Sequence, residues 1–110
     1  MLVVGATVTD VGREFQTRVE RLEPVVAAFM WYDARANRVS ITTLLDEIDH
    51  AAEEHLASVE LHLNRSFQDF SFDFQTIHLK GRNPDDFVES EHAVMLVRRH
   101  PRQRADAKQR

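Results

Sequence analysis

Cysteine is absent from this sequence of 110 residues, and glycine and proline occur only three times each. The missing cysteines exclude a disulfide scaffold, a thiolate metal centre and a cysteine nucleophile. They leave the redox compartment open. The scarcity of glycine and proline excludes a linker or a low-complexity chain. Long apolar runs are also missing. The longest is Val25–Tyr32, far short of the roughly 20 residues that span a bilayer. No charged segment precedes an apolar stretch at the N-terminus, so a signal peptide is not expected. These absences point to a soluble, cytoplasmic protein with no membrane insertion, folded around a hydrophobic core.

What is present is a divided charge. The net charge is −4. Residues 98–110 carry six basic groups and one acid, a tail of +5. Residues 1–97 carry 8 basic and 17 acidic groups, a body of −9. Residues 1–97 read as a single α+β domain, and 98–110 as a basic C-terminal tail.

Val8, Val11, Phe15, Val19 and Leu22 recur at helical spacing, which predicts a helix over about residues 8–23. Thr7 and Asp10 have the spacing of a capping box, and Pro24 is the stop. Val25–Tyr32 is apolar throughout and reads as a strand buried on both faces. Asn37, in the turn Asp33–Asn37, is suited to a left-handed backbone. Val39, Ile41, Thr43 and Leu45 alternate with their neighbours, so residues 25–45 form a hairpin. Ile48, Ala52, Leu56, Val59, Leu63 and Phe67 share one face of a second helix over Asp46–Phe67. Phe70, Phe72 and Phe74 alternate as a strand. The apolar phase then switches at Ile77 and Leu79, which suggests either a bulge near Gln75–Thr76 or cover on both faces. Gly81–Asp86 is a loop anchored by Phe87, and Ala93–Val97 is a last strand.

The order α-β-β-α-β-β predicts a two-layer α+β sandwich: a mainly antiparallel four-stranded sheet with two helices on one face. If Met1–Val4 is a strand, the alternative is a ferredoxin-like βαββαβ arrangement. Strict alternation would place Val25, Ala27, Phe29 and Trp31 on one face and Val26, Ala28, Met30 and Tyr32 on the other. Two helices cover only one of these sets. The other set predicts a protein–protein interface, most simply of a twofold homodimer, with loops or the tail as its competing cover. Phe29, Trp31, Phe70, Phe72 and Phe74 are the interface candidates, with Phe29 or Trp31 as the central anchor.

No catalytic pattern stands out. No serine lies in a Gly-x-Ser-x-Gly turn, and no phosphate-cradling glycine loop is present. Asp69 and Asp73 flank aromatic strand residues and are expected to face water. On the second helix Asp46, His50 and Glu54 stand at i, i+4 spacing, a His–carboxylate trio that suits a divalent metal. A solvated charged face is the blander alternative, and no other cofactor is expected. His55 and His62 flank the apolar stripe as packing residues with a satisfied nitrogen, and together could form an acid-side stability switch. Arg98, Arg99, Arg102 and Arg104 suit an acidic partner, or nucleic acid as the less favoured ligand, because the body is acidic and no aromatic residue interrupts the tail.

The acidic start of this helix resembles the cytoplasmic domain of cation diffusion facilitator transporters, which is also an α-β-β-α-β unit with early acids and histidines in its second helix. The similarity covers about residues 10–79, with Asp49, His50, Ala51 and Ala52 as its best local stretch. It departs at Ile77-His78-Leu79, where that family has His followed by an acid and Pro. No transmembrane part accompanies it, so the resemblance implies a shared architecture. Three functions are left open: an oligomeric protein-binding or regulatory domain without catalysis, which is favoured; a metal-dependent enzyme or sensor; and a nucleic-acid-binding accessory protein.

Overall fold

The computed structural model describes residues 7–87 and 93–99. Helix α1 (Val8–Val19) leads into strands β1 (Val25–Asp33) and β2 (Arg38–Leu45). Helix α2 (His50–Ser66), strand β3 (Ser71–His78), a 3-10 turn (Pro84–Phe87) and strand β4 (Val94–Arg98) complete it. Among these residues no helix is long and apolar enough to cross a membrane. The suggested strand at Met1–Val4 and the tail residues Arg102 and Arg104 lie outside the described residues.

The capping box forms. The Thr7 hydroxyl accepts from the Asp10 backbone N–H at 3.2 Å, and the Asp10 carboxylate accepts from the Thr7 N–H at 2.8 Å. Such a cap contributes about 1 kcal/mol. The helix ends four residues earlier than its apolar spacing suggests. Pro24 disfavours helical backbone at the residue before it, and the chain leaves α1 through tight turns from Leu22 N–H to the Val19 carbonyl and from Val25 N–H to Leu22. The second helix also starts late. Asp49 is its N-cap, accepting from Ala52 N–H at 2.9 Å. Asp46 precedes the helix and gives its N–H to the Pro24 carbonyl at 2.9 Å. Ile48 is therefore not on the buried stripe; it is 57 % exposed, and Ala52, Leu56, Val59 and Leu63 carry the packing.

The sheet order is β3-β2-β1-β4. β1 pairs antiparallel with both β2 and β4, whereas β3 runs parallel to β2. The expected antiparallel character holds only for β1, and the sheet is mixed. The physical reason is α2. A helical crossover of this length returns the chain to the starting end of β2, as parallel pairing requires. Direct β2–β3 pairing also fills the place where a ferredoxin-like sheet inserts its first strand.

The β2–β3 register is unbroken from Arg38↔Ser71 to Leu45↔His78, so no bulge lies at Gln75–Thr76. The phase switch has the other cause: Phe70, Phe72 and Phe74 pack with the helices, and Ile77 and Leu79 pack on the opposite face. Bulges occur instead in β1 and β4. One lies between Val25 and Ala27, and it puts Val26 and Ala27 together on the face away from the helices. The simple alternation of β1 therefore holds from Ala27 onward and fails at its first two residues. The second bulge turns both Leu96 and Val97 toward the helices.

Both helices join one core cluster, built from Val11, Phe15 and Val19 of α1, Leu56, Val59 and Leu63 of α2, and Ala28, Val39 and Ile41 beneath them. Gly12 lets α1 approach the sheet. A Cβ there would stand 3.0 Å from both Met30 Cε and Leu96 Cδ2. The other sheet face has a smaller core of Val26, Ala27, Phe29, Leu44 and Leu79, with Trp31, Ile77, Phe87 and Ala93 against it. The chain's own loop after β3 thus covers part of the second face.

Candidate functional site

The carboxyl ends of β2, β3 and β4 meet the start of β1 at one end of the sheet. There they enclose a cavity of about 340 Å³, walled by Val26, Ala27, Leu79 and Pro84 and edged by Asp46, Arg82, Asn83, Arg98 and Arg99. The turn Leu79–Arg82 shapes it. Lys80 (φ 52°) and Gly81 (φ 87°) are both left-handed, the signature of a type I′ turn, and Arg82 N–H donates to the Leu79 carbonyl at 3.0 Å. The Arg82 side chain folds back, donating from Nε to the Leu79 carbonyl at 2.9 Å and from NH2 to the His78 carbonyl at 2.8 Å. Its guanidinium lies 4.9 Å from the centre of the Phe87 ring. Arg99 donates from NH2 to the Glu20 carbonyl at 2.5 Å, where α1 ends. Of the basic residues expected to meet an acidic partner, Arg98 and Arg99 therefore border this cavity. Arg82, read from sequence as a plain loop residue, joins them. The cue was the Lys-Gly-Arg turn, whose left-handed glycine aims the next side chain back at the sheet.

The aromatic candidates separate onto two faces. Phe29 and Trp31 stack on the second face with centroids 5.7 Å apart. Phe29 is 1 % exposed, already covered within its own chain. Trp31 is half-buried. By register its row continues through Ser40 to Asp73, so this end of the second face is polar. Phe70, Phe72 and Phe74 sit on the helix side, half-buried along edge strand β3. Phe72 and Phe74 stack at 5.4 Å, and Tyr32 meets Phe70 edge-on at 6.0 Å. Asn37, left-handed as its sequence suggested (φ 50°), ties the hairpin turn to this strand. It accepts from the Tyr32 hydroxyl and donates to the Asp69 carbonyl.

β4 is the other edge. Val94 is 52 % and Met95 38 % exposed. Beside them a groove of about 340 Å³ runs between α1 and β4, lined chiefly by Val8, Gly12, Met30, Val94, Met95 and Leu96.

Asp46, His50 and Glu54 do not share a helical face, because Asp46 lies before the N-cap and borders the cavity described above. His50 and Glu54 are exposed on the first turns of α2. Among the described residues no group of three or more His, Asp or Glu side chains is placed to hold a metal ion. The other described histidines, His55, His62 and His78, bridge elements. His55 Nε2 lies 3.0 Å from the Arg18 carbonyl and so donates to it. His62 Nε2 is 2.8 Å from Glu14, and His78 Nε2 is 3.0 Å from Glu53. The Arg18 side chain, with His62 second, holds the Glu14 carboxyl below its usual range. On α2, burial alone pushes the Glu60 carboxyl up.

Compared in sequence with known proteins, the chain matches no protein-family model and no curated protein.

Proposed function

We propose that this is a small protein-binding or regulatory domain, a two-layer α+β unit of the cytoplasm, which self-associates as a twofold homodimer through the outer edge of β4. The observation that carries the reading is the pair Val94 and Met95, exposed on an edge strand beside an apolar groove. Among the described residues no strand pairs with that outer edge. An edge strand presents a row of backbone donors and acceptors that a second strand can satisfy. Two copies meeting antiparallel there would extend the sheet across the dimer, each offering the same patch to the other. The aromatic second face is the less suited surface, because Phe29 is covered by its own chain.

Light scattering or sedimentation at micromolar concentration tests this. The unaltered protein is expected to run as a dimer. V94K/M95K is expected to run as a folded monomer, since neither side chain belongs to the buried core. A monomeric unaltered protein overturns the proposal, as does a dimer indifferent to the double substitution. If W31R alone dissociates the dimer, the second face is the interface and the β4 edge is not.

A further inference from the structure

We propose that the cavity at the carboxyl ends of β2, β3 and β4 binds the phosphate monoester group of a small molecule with an apolar portion. Among the described residues three guanidinium groups, Arg82, Arg98 and Arg99, border it against one carboxylate, Asp46. These described lining residues together carry a formal +2, with Arg82 from the acidic body and Arg98 and Arg99 from the start of the basic C-terminal segment. That excess matches a dianion better than a monoanion, and guanidinium forks fit phosphate oxygens in pairs. Donors remain for the purpose on Arg82 and Arg99. A guanidinium has five N–H groups; Arg82 uses two on the His78 and Leu79 carbonyls, and Arg99 one on the Glu20 carbonyl. Those bonds hold Arg82 and Arg99 in place before any ligand arrives, which lowers the ordering cost of binding.

The rest of the wall sets the ligand's other half. Val26, Ala27, Leu79 and Pro84 give an apolar surface beside the cations. Val26 and Ala27 reach it together only because the β1 bulge turns both to the same face. A volume of about 340 Å³ is concave and small, at the low end of the roughly 300–1,000 Å³ typical of small-molecule sites. The body's net −9 opposes a polyanion, and a concavity of this size suits a small ligand. The proposal is independent of the β4 edge and survives a monomeric protein.

Titration calorimetry of the full chain with phenyl phosphate, inorganic phosphate and benzoate tests it. Phenyl phosphate is expected to bind saturably, with inorganic phosphate and benzoate each weaker by about tenfold, since each lacks one half of the recognition. R98Q and R99Q are each expected to weaken phenyl phosphate by at least about fivefold with unchanged circular dichroism. R65Q, remote on α2, is expected to leave it unchanged. No saturable binding up to about 10 mM phenyl phosphate overturns the proposal. So does equal affinity in the R98Q/R99Q double variant, or binding of an oligonucleotide without binding of the monoester.

Discussion

Phe87→Ala separates the two accounts of the sheet's second face. Phe87 leaves the 3-10 turn and packs on the small core of Val26, Phe29 and Leu44. Its ring also carries the Arg82 guanidinium at 4.9 Å. Truncating a fully buried phenylalanine costs roughly 3–5 kcal/mol. Phe87 is half-buried, which scales the loss to about 2 kcal/mol. Losing the cation–ring contact at an open site adds about 0.5 kcal/mol. The expected total is therefore about 2–3 kcal/mol. Urea unfolding followed by circular dichroism should show it as a midpoint lower by about 1–2 M, given a slope of roughly 1.5 kcal/mol per M. Binding of a hydrophobic dye should rise in the same variant, because Phe29 and Leu44 lose cover. A midpoint shift under about 0.3 M with unchanged dye binding would refute the reasoning and return the second face to a partner.

Gly12→Leu should destabilise the fold by about 1–3 kcal/mol through overpacking against Met30 and Leu96, while Gly12→Ala should stay within about 1 kcal/mol, its gain in helix propensity offset by crowding; equal midpoints for the two in chemical denaturation would show that α1 does not seat closely on the sheet. Gly81→Ala should cost about 1–2 kcal/mol from the left-handed backbone alone, since no atom lies within 4 Å of the added methyl group. A tolerated alanine there would mean that the turn relaxes. The lowered Glu14 carboxyl predicts a pH effect of definite sign. Its contribution is fully present above the unfolded value near 4.5 and is lost as pH falls through the lower folded value. Glu14→Gln should therefore flatten the acid limb of the stability–pH curve below that point, and an unchanged limb would remove Glu14 from the account.

The elements were legible because each rests on local chemistry. Thr7 and Asp10 cap a helix whether or not the sheet is known, and Asn37 takes a left-handed backbone for its own reasons. The phase switch between Phe74 and Ile77 was visible too, and one of its two readings, a strand covered on both faces, agrees with the structure. Pairing was not legible. Nothing near Phe70–His78 states that β3 lies parallel to β2, because that depends on where α2 delivers the chain. The start of α2 was misplaced for a related reason: Asp46 and Asp49 are equally good caps in one dimension, and the bond from Ala52 N–H to the Asp49 carboxylate decides between them. Arg98 and Arg99 were legible as binding candidates, but the cavity they border was not. Its walls come from Val26, Asp46, Leu79–Pro84 and Arg98–Arg99, and only the sheet brings these together.

The pairing of β4 with β1 gives the molecule an order of assembly. The β1–β2 hairpin and the β2-α2-β3 unit close over short stretches of chain, whereas β4 must return from Val94 to Met30, and from Arg98 to Ala27, across the whole sequence between them. Closing so long a loop carries the largest entropic cost and comes late in folding. Gln16 then bonds the Leu96 carbonyl at 2.9 Å, and Arg99 reaches the end of α1. The exposed edge and the three-arginine cavity are both completed by that final strand. A partly folded chain can hold the hairpin and both helices and still offer neither surface, so any partner or ligand that uses them recognises only finished molecules.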